Sequence, residues 1–119
     1  MRGQNIGNMF MEIKIDIKPL SVNFAWKGRR FKTDKYKQYE RDCLFLLPRF
    51  TIGKPPYKIY LEFGFSNMGA DIDNPVKLFL DITQKKYNFN DKDIIEAHIK
   101  KVKTEKGKEY IKFEIQTIE

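Results

Sequence analysis

Two stretches of the chain alternate cleanly between apolar and polar positions. Ile13, Ile15 and Ile17 interleave with Glu12, Lys14, Asp16 and Lys18, the two-residue period of a half-buried strand, and Pro19 ends it. Near the other end, Ile111, Phe113 and Ile115 interleave with Lys112, Glu114 and Gln116 in the same way. Between them, Tyr57–Phe65 (YKIYLEFGF) is rich in the aromatic and branched residues that strands favour. Residues 94–103 read as one further strand, joined through residues 104–109, which include Gly107, to the last strand at 110–118.

Two segments follow a helical period instead. Thr33 is placed to cap a helix with Asp34 in its first turn, and Tyr36, Tyr39, Cys43 and Leu47 recur on one side until Pro48 stops the run. The second helix opens where Asn74 caps and Pro75 takes the first helical position. Val76, Phe79, Leu80 and Thr83 form an apolar stripe there, with Leu78 and Ile82 on a different side of the cylinder. That second flank predicts another packing partner, a second copy of the chain.

The predicted order is β-α-β-α-β-β. Its economical solution is an α+β two-layer sandwich, a mixed sheet with both helices on one face. Residues 1–10 show no period and precede a second possible start at Met11, so they are expected to be a disordered leader or a misplaced start, with residues 11–119 forming one domain. The single cysteine, Cys43, excludes an intramolecular disulfide and is expected in the core. No apolar run approaches the length of a membrane-spanning helix or a secretory signal, so a cytoplasmic protein is expected.

Charge changes the picture. Twenty-three Lys and Arg against sixteen Asp and Glu leave a net charge of +7, a field that attracts polyanions. Against that background the sequence Asp71-Ile72-Asp73-Asn74-Pro75-Val76-Lys77 stands out. In extended chain, residues two apart face the same side. Two carboxylates about 4 Å apart repel by about 4 kcal/mol at an effective dielectric near 20. A divalent metal, the helix N-terminus or Lys77 must offset that repulsion. Two hard oxygen ligands with open positions suit Mg²⁺, with Mn²⁺ a possible substitute.

Lys77 is unusual in its own right. A cation in the first helical turn opposes the helix dipole by roughly 0.3–1 kcal/mol. Pairing with Asp81 in the weaker orientation returns only about 0.2–0.5 kcal/mol. A phosphate, or charge developing on a reacting oxygen, explains the lysine better. The blander reading of Asp71 and Asp73 is a turn and helix-capping cluster. A third acidic element, Asn90-Asp91-Lys92-Asp93, follows the helix; spacing alone leaves open whether Asp91 meets the first pair.

The pattern Asp71-x-Asp73-Asn74-x-x-Lys77-x-x-x-Asp81, followed by the 90–94 element, closely resembles the RusA family of Holliday junction resolvases. A weaker likeness extends over most of residues 11–118, including Pro19-x-Ser21-Val22-Asn23. The resemblance implies a homodimeric, Mg²⁺-dependent endodeoxyribonuclease that resolves four-way DNA junctions by paired nicks, in recombination and repair. It implies that Asp71, Asp73 and Asp91 are the catalytic, metal-holding carboxylates and Lys77 the essential lysine. Asn74 and Asp81 would support them from behind. Asn90 stands where many members carry an aspartate, which makes Asp93 the fallback ligand should the loop register be shifted.

A basic, aromatic stretch, Trp26-Lys27-Gly28-Arg29-Arg30-Phe31-Lys32, continues to Lys35 and Lys37. Lys27, Arg29, Arg30, Lys32 and Lys35 are expected to contact the phosphate backbone without reading sequence. Trp26 is expected to be mainly structural, and Lys100, Lys101 and Lys103 could extend the surface. His98 has no second histidine near it in sequence and reads as a bystander, while Met68 sits in a loop where it could wedge between bases. Two competing readings are a non-catalytic basic nucleic-acid-binding module and a metal-dependent phosphodiesterase acting on other branched DNA or RNA.

Overall fold

The structure, a computed structural model, describes residues 10–20, 26–27, 31–69, 72 and 74–118, with the backbone alone for residues 10, 11, 26, 27, 31 and 74. The elements run in the order β1 (Phe10–Ile15), β2 (Trp26–Lys27), β3 (Phe31–Lys32), α1 (Asp34–Leu46), β4 (Tyr57–Phe65), α2 (Asn74–Tyr87), β5 (Ile94–Lys103) and β6 (Tyr110–Thr117). The fold is α+β, two helices with a four-stranded mixed sheet of order β1-β6-β4-β5. Two elements among the described residues are unforeseen: the small antiparallel pair of β2 and β3 in the basic aromatic stretch, and a 3₁₀ turn over Asp91–Asp93 where a loop was expected. The first strand begins at Phe10, one residue inside the expected leader, and stops at Ile15 rather than Ile17.

Strand pairing follows from the connections. β6 lies antiparallel to both β1 and β4, whereas β4 and β5 run parallel from Tyr57↔Ile94 to Phe65↔Lys103. A parallel pair needs a long crossover, and α2 supplies it. Every second residue of β4 and β6 faces the core: Ile59, Leu61, Phe63, Ile111, Phe113 and Ile115 are all buried. Their alternates Lys58, Tyr60, Glu62, Lys112 and Glu114 line the opposite, polar face.

Helix α1 is capped as its sequence predicts. The Thr33 hydroxyl accepts the Tyr36 backbone N–H at 3.1 Å, and the Leu47 N–H closes the far end on the Cys43 carbonyl at 2.9 Å. Tyr36, Tyr39, Cys43 and Leu47 form its buried stripe. The last turn of α1 has no basic residue of its own; Lys86 of α2 reaches across and donates to the Leu44 carbonyl at 3.0 Å, placing a cation where the helix dipole favours one.

Helix α2 corrects one expectation. Leu78 and Ile82 are not a spare flank: both are fully buried, together with Pro75, Phe79 and Thr83. These positions are spaced three and four apart and merge into one stripe, with Val76 and Leu80 at its margin. Phe79 sets its ring edge-on to Phe63 and Phe113, with centroids 6.3 and 5.7 Å away, and Tyr87 stacks on Phe113 at 6.2 Å. The flank therefore offers nothing to a second copy. The helix also opens at Asn74 itself, so the capping position falls one residue earlier than expected, outside the described residues.

Gly64 is dictated by a close approach. The Tyr110 ring lies across it, held by a hydrogen bond from its hydroxyl to Glu62, so a Cβ on Gly64 would stand 2.4 Å from Tyr110 Cε1 and 2.9 Å from Thr104 Cγ2. Gly64→Ala is expected to lower unfolding free energy by about 1–3 kcal/mol, the usual range for overpacking. Chemical denaturation should show most of that loss disappearing when Gly64→Ala is made in a Tyr110→Ala background. An unchanged penalty there would place the strain elsewhere.

Candidate functional site

The crossover decides where the chemistry-bearing residues go. α2 descends antiparallel to β4, so Lys77, in its first turns, lies toward the end of the sheet marked by Phe65 and Lys103. The connection leaving β4 is held by lysines of the neighbouring strand. Lys101 Nζ donates to the Met68 carbonyl at 2.9 Å, and Lys103 Nζ donates to the Ser66 carbonyl. Ser66 Oγ in turn donates to Glu109 at 2.7 Å. That hydrogen bond, with those from the backbone of Glu109 itself and of Gly107, outweighs burial and holds the Glu109 carboxyl below its ordinary range. Lys101 and Lys103, expected only as an extension of a basic surface, thus position the loop that leads into the acidic motif.

Asp91 enters from the opposite end of the sheet. After Asn88, whose positive φ of 57° turns the chain, Asn90 caps a short 3₁₀ turn over Asp91–Asp93 by accepting the Lys92 N–H at 3.0 Å. The Asp91 backbone N–H donates to Gln84 Oε1 at 2.8 Å, and the same amide donates from Nε2 to the Leu80 carbonyl at 3.0 Å. Gln84 is therefore the residue that fixes Asp91 against α2. Its spacing from the motif carries no signature, and sequence reasoning passed over it.

Lys77, Asp81 and Gln84 follow the i, i+4, i+7 rule and so share one face of α2. Lys77 is exposed, Asp81 half-buried and Asp91 exposed. Seven residues of helix separate Lys77 from the Gln84 anchor, about 10 Å of axis. No ion pair joins Lys77 to Asp81 or to Asp91 among the described residues. The weak pairing that would have explained Lys77 structurally is not made. Asp71 and Asp73 lie outside the described residues, and only the backbone of Asn74 is described. Among the described residues, no three His, Cys, Asp or Glu side chains are grouped to hold a metal ion. Exposed carboxylate at Asp91 is the hard oxygen donor that Mg²⁺ prefers, so the donor type fits that ion.

The basic stretch divides. Arg29 and Arg30 lie outside the described residues, and Lys27 is described only as part of β2. Lys35 is exposed on α1. Lys32 is already engaged, with its Nζ 3.4 Å from Glu40 and 5.0 Å over the Tyr36 ring. Lys85 of α2 reaches the same Glu40 oxygen at 2.8 Å. Glu40 thereby ties β3, α1 and α2 together. His98 stacks on Tyr60 with centroids 4.7 Å apart and lies 2.5 Å from Glu96, on the polar face of the sheet. Cys43 is fully buried, as expected of a core residue, and burial raises its thiol to about 12. Met68 is exposed in the loop after β4.

No protein-family model matches the chain, and no curated protein matches it either. The likeness to RusA resolvases therefore rests on the acidic and lysine motif and its spacing.

Glu40 provides a test of how this region is held. Partial burial alone would raise its carboxyl, but the hydrogen bond from Lys85 and the charge of Lys32 outweigh that and hold it below 4.5. A depressed folded-state value adds stability above the ordinary glutamate range and loses it as pH falls. Glu40→Gln should cost roughly 0.5–1 kcal/mol at pH 7, because Lys85 is mostly exposed. The deficit relative to wild type should shrink as pH falls below about 4.5. Denaturant titrations at pH 7 and pH 3 check this; an equal deficit at both would remove the ion pairs from the account.

Proposed function

We propose that this protein is a structure-selective endodeoxyribonuclease that works as a homodimer and resolves four-way DNA junctions by paired nicks, with Mg²⁺ as its cofactor. The observation that carries the reading is Lys77: an exposed amine in the first turns of α2, unpaired with Asp81, and only a few residues beyond two aspartates. A cation there is unfavourable to the helix, and an anionic ligand relieves the cost.

Asp71 and Asp73 would hold the metal; Asp91, or Asp93 if the 90–94 loop is shifted, stands at the far end of α2 within one copy and would join them only from the second copy of the homodimer. When bound, Mg²⁺ supplies a Lewis acid for a phosphodiester and lowers the pKa of a coordinated water. The chain's own groups do the rest. Lys77 carries its amine to the phosphate and stabilises the negative charge that develops there. Asn74 and Asp81 support the carboxylates and the lysine through the helix that bears them. Lys27, Arg29, Arg30 and Lys35 neutralise backbone phosphates on the arms of the branched substrate, and the net charge of +7 draws that substrate in. Gln84 is a positioning residue, since it acts only through the main chain of Asp91.

Cleavage of a synthetic mobile four-way junction in Mg²⁺ tests the reading. Wild type should produce symmetric nicks, and Mn²⁺ should substitute. Asp73→Asn and Lys77→Ala should each lower the single-turnover rate by about a hundredfold or more, the usual scale for losing a charge-stabilising group, while junction affinity stays within a few-fold. Binding should weaken steeply with salt. Junction binding indifferent to Mg²⁺, with no product at any metal concentration, would establish the basic binding module instead. Cleavage confined to flaps or RNA would establish the other phosphodiesterase reading.

A further inference from the structure

The connection that leaves β4 is fixed by polar bonds alone. Ser66 is half-buried and Asn67, Met68 and Gly69 are exposed, so none of them is anchored in the core. Just before them, the Phe65 carbonyl accepts the Thr104 N–H at 2.8 Å. Lys103 Nζ donates to the Ser66 carbonyl, Lys101 Nζ to the Met68 carbonyl at 2.9 Å, and the Gly69 N–H to Asn67 Oδ1 at 2.9 Å. One side chain then joins this connection to the turn between β5 and β6. Glu109 Oε2 accepts the Ser66 hydroxyl at 2.7 Å, and Glu109 Oε1 accepts the Gly107 N–H at 3.0 Å. Gly107 has a φ of +91°, a conformation that glycine adopts freely and other residues do not. Both oxygens of one carboxylate therefore hold main chain or its nearest hydroxyl, one on each side of the gap between the two segments.

Hydrogen bonds among groups this open to water add little to global stability. Their effect is on geometry. Ser66 stands five residues before Asp71 and seven before Asp73, and every bond on residues 66–69 removes freedom from the chain that leads to that pair. We infer that Glu109, acting through Ser66, is a positioning residue for the Asp71 and Asp73 carboxylates. The inference rests on the reading of that pair as metal ligands. Groups that orient metal ligands from behind change metal affinity by about 10–100-fold when they are lost. Glu109 acts through several residues of main chain, which sets its effect at the lower end, about tenfold.

Titration of the metal-free chain with Mn²⁺, followed by the electron paramagnetic resonance of the free ion, tests this without any substrate. Wild type should bind Mn²⁺ and Asp73→Asn should lose it. Glu109→Ala and Ser66→Ala should each weaken binding by about tenfold. The double variant should be no worse than either alone, because the two break one bond. Glu109→Gln should return affinity to within about threefold of wild type, since its amide can donate to Ser66 Oγ while its oxygen accepts the Gly107 N–H. Melting temperatures of these variants should stay within about 3 °C of wild type. In junction cleavage, the Mg²⁺ concentration for half-maximal rate should rise in the alanine variants while the rate at saturating Mg²⁺ is little changed. Alanine variants that bind Mn²⁺ as tightly as wild type, while Asp73→Asn does not, overturn the positioning role and leave the metal reading intact. Weakened binding that Glu109→Gln fails to restore, or that follows a fall in melting temperature, also overturns it. A wild-type chain that holds no Mn²⁺ removes both.

Discussion

β4 and β5 run parallel, and a parallel pair cannot be closed by a tight turn. The chain must leave the top of β4, cross back over the sheet and begin β5 at the bottom, and α2 with its fully buried Phe79 is that crossing. From this one constraint the placement of the chemistry follows. The acidic motif and Lys77 occur where the helix begins, and Asp91 occurs where it has ended. The carboxylates that the motif groups in sequence are divided by the length of a helix. Within one copy nothing closes that gap: the Gln84 side chain, whose amide oxygen accepts the Asp91 N–H, holds Asp91 at the far end of α2.

The same constraint leaves β5 at the edge of the sheet. The two helices cover β4 and β6, whose inner faces are aromatic and aliphatic, and they do not reach the inner face of β5, where Ala97, Ile99, Lys101 and Lys103 stand.

Much of this was legible in the residues. The strict alternation of β1 and β6, the cap at Thr33 and the stop at Pro48 are local signals, and they fixed the elements nearly to the residue. What escaped was long-range. Leu78 and Ile82 read as a separate flank because the stripe was centred on Val76 and Leu80; only the crossing over Phe63 and Phe113 shows that the buried face lies between the two sets. The β2–β3 pair is too short to alternate. Gln84 is an ordinary helix former on a mixed face, and its anchoring role arises from a loop seven residues away. Lys32 looked like its basic neighbours until Glu40 was brought beneath it from the next helix. For the site itself, residue types and spacing suggested metal and phosphate chemistry, while the position of Asp91 depended on where the crossover delivers it.

The central claim is that aspartates from both ends of α2 act on one divalent cation. Paramagnetic broadening by Mn²⁺ of backbone amide resonances, followed by nuclear magnetic resonance in the wild-type protein, tests it most directly. The account predicts that the amides of Asp71, Asp73 and Asp91 broaden together at the same Mn²⁺ concentration and recover together when Mg²⁺ is added in excess. Broadening confined to the carboxylates of the polar sheet face around Glu62 and Glu114, or at Asp91 with a different affinity from the 71–73 pair, would contradict it.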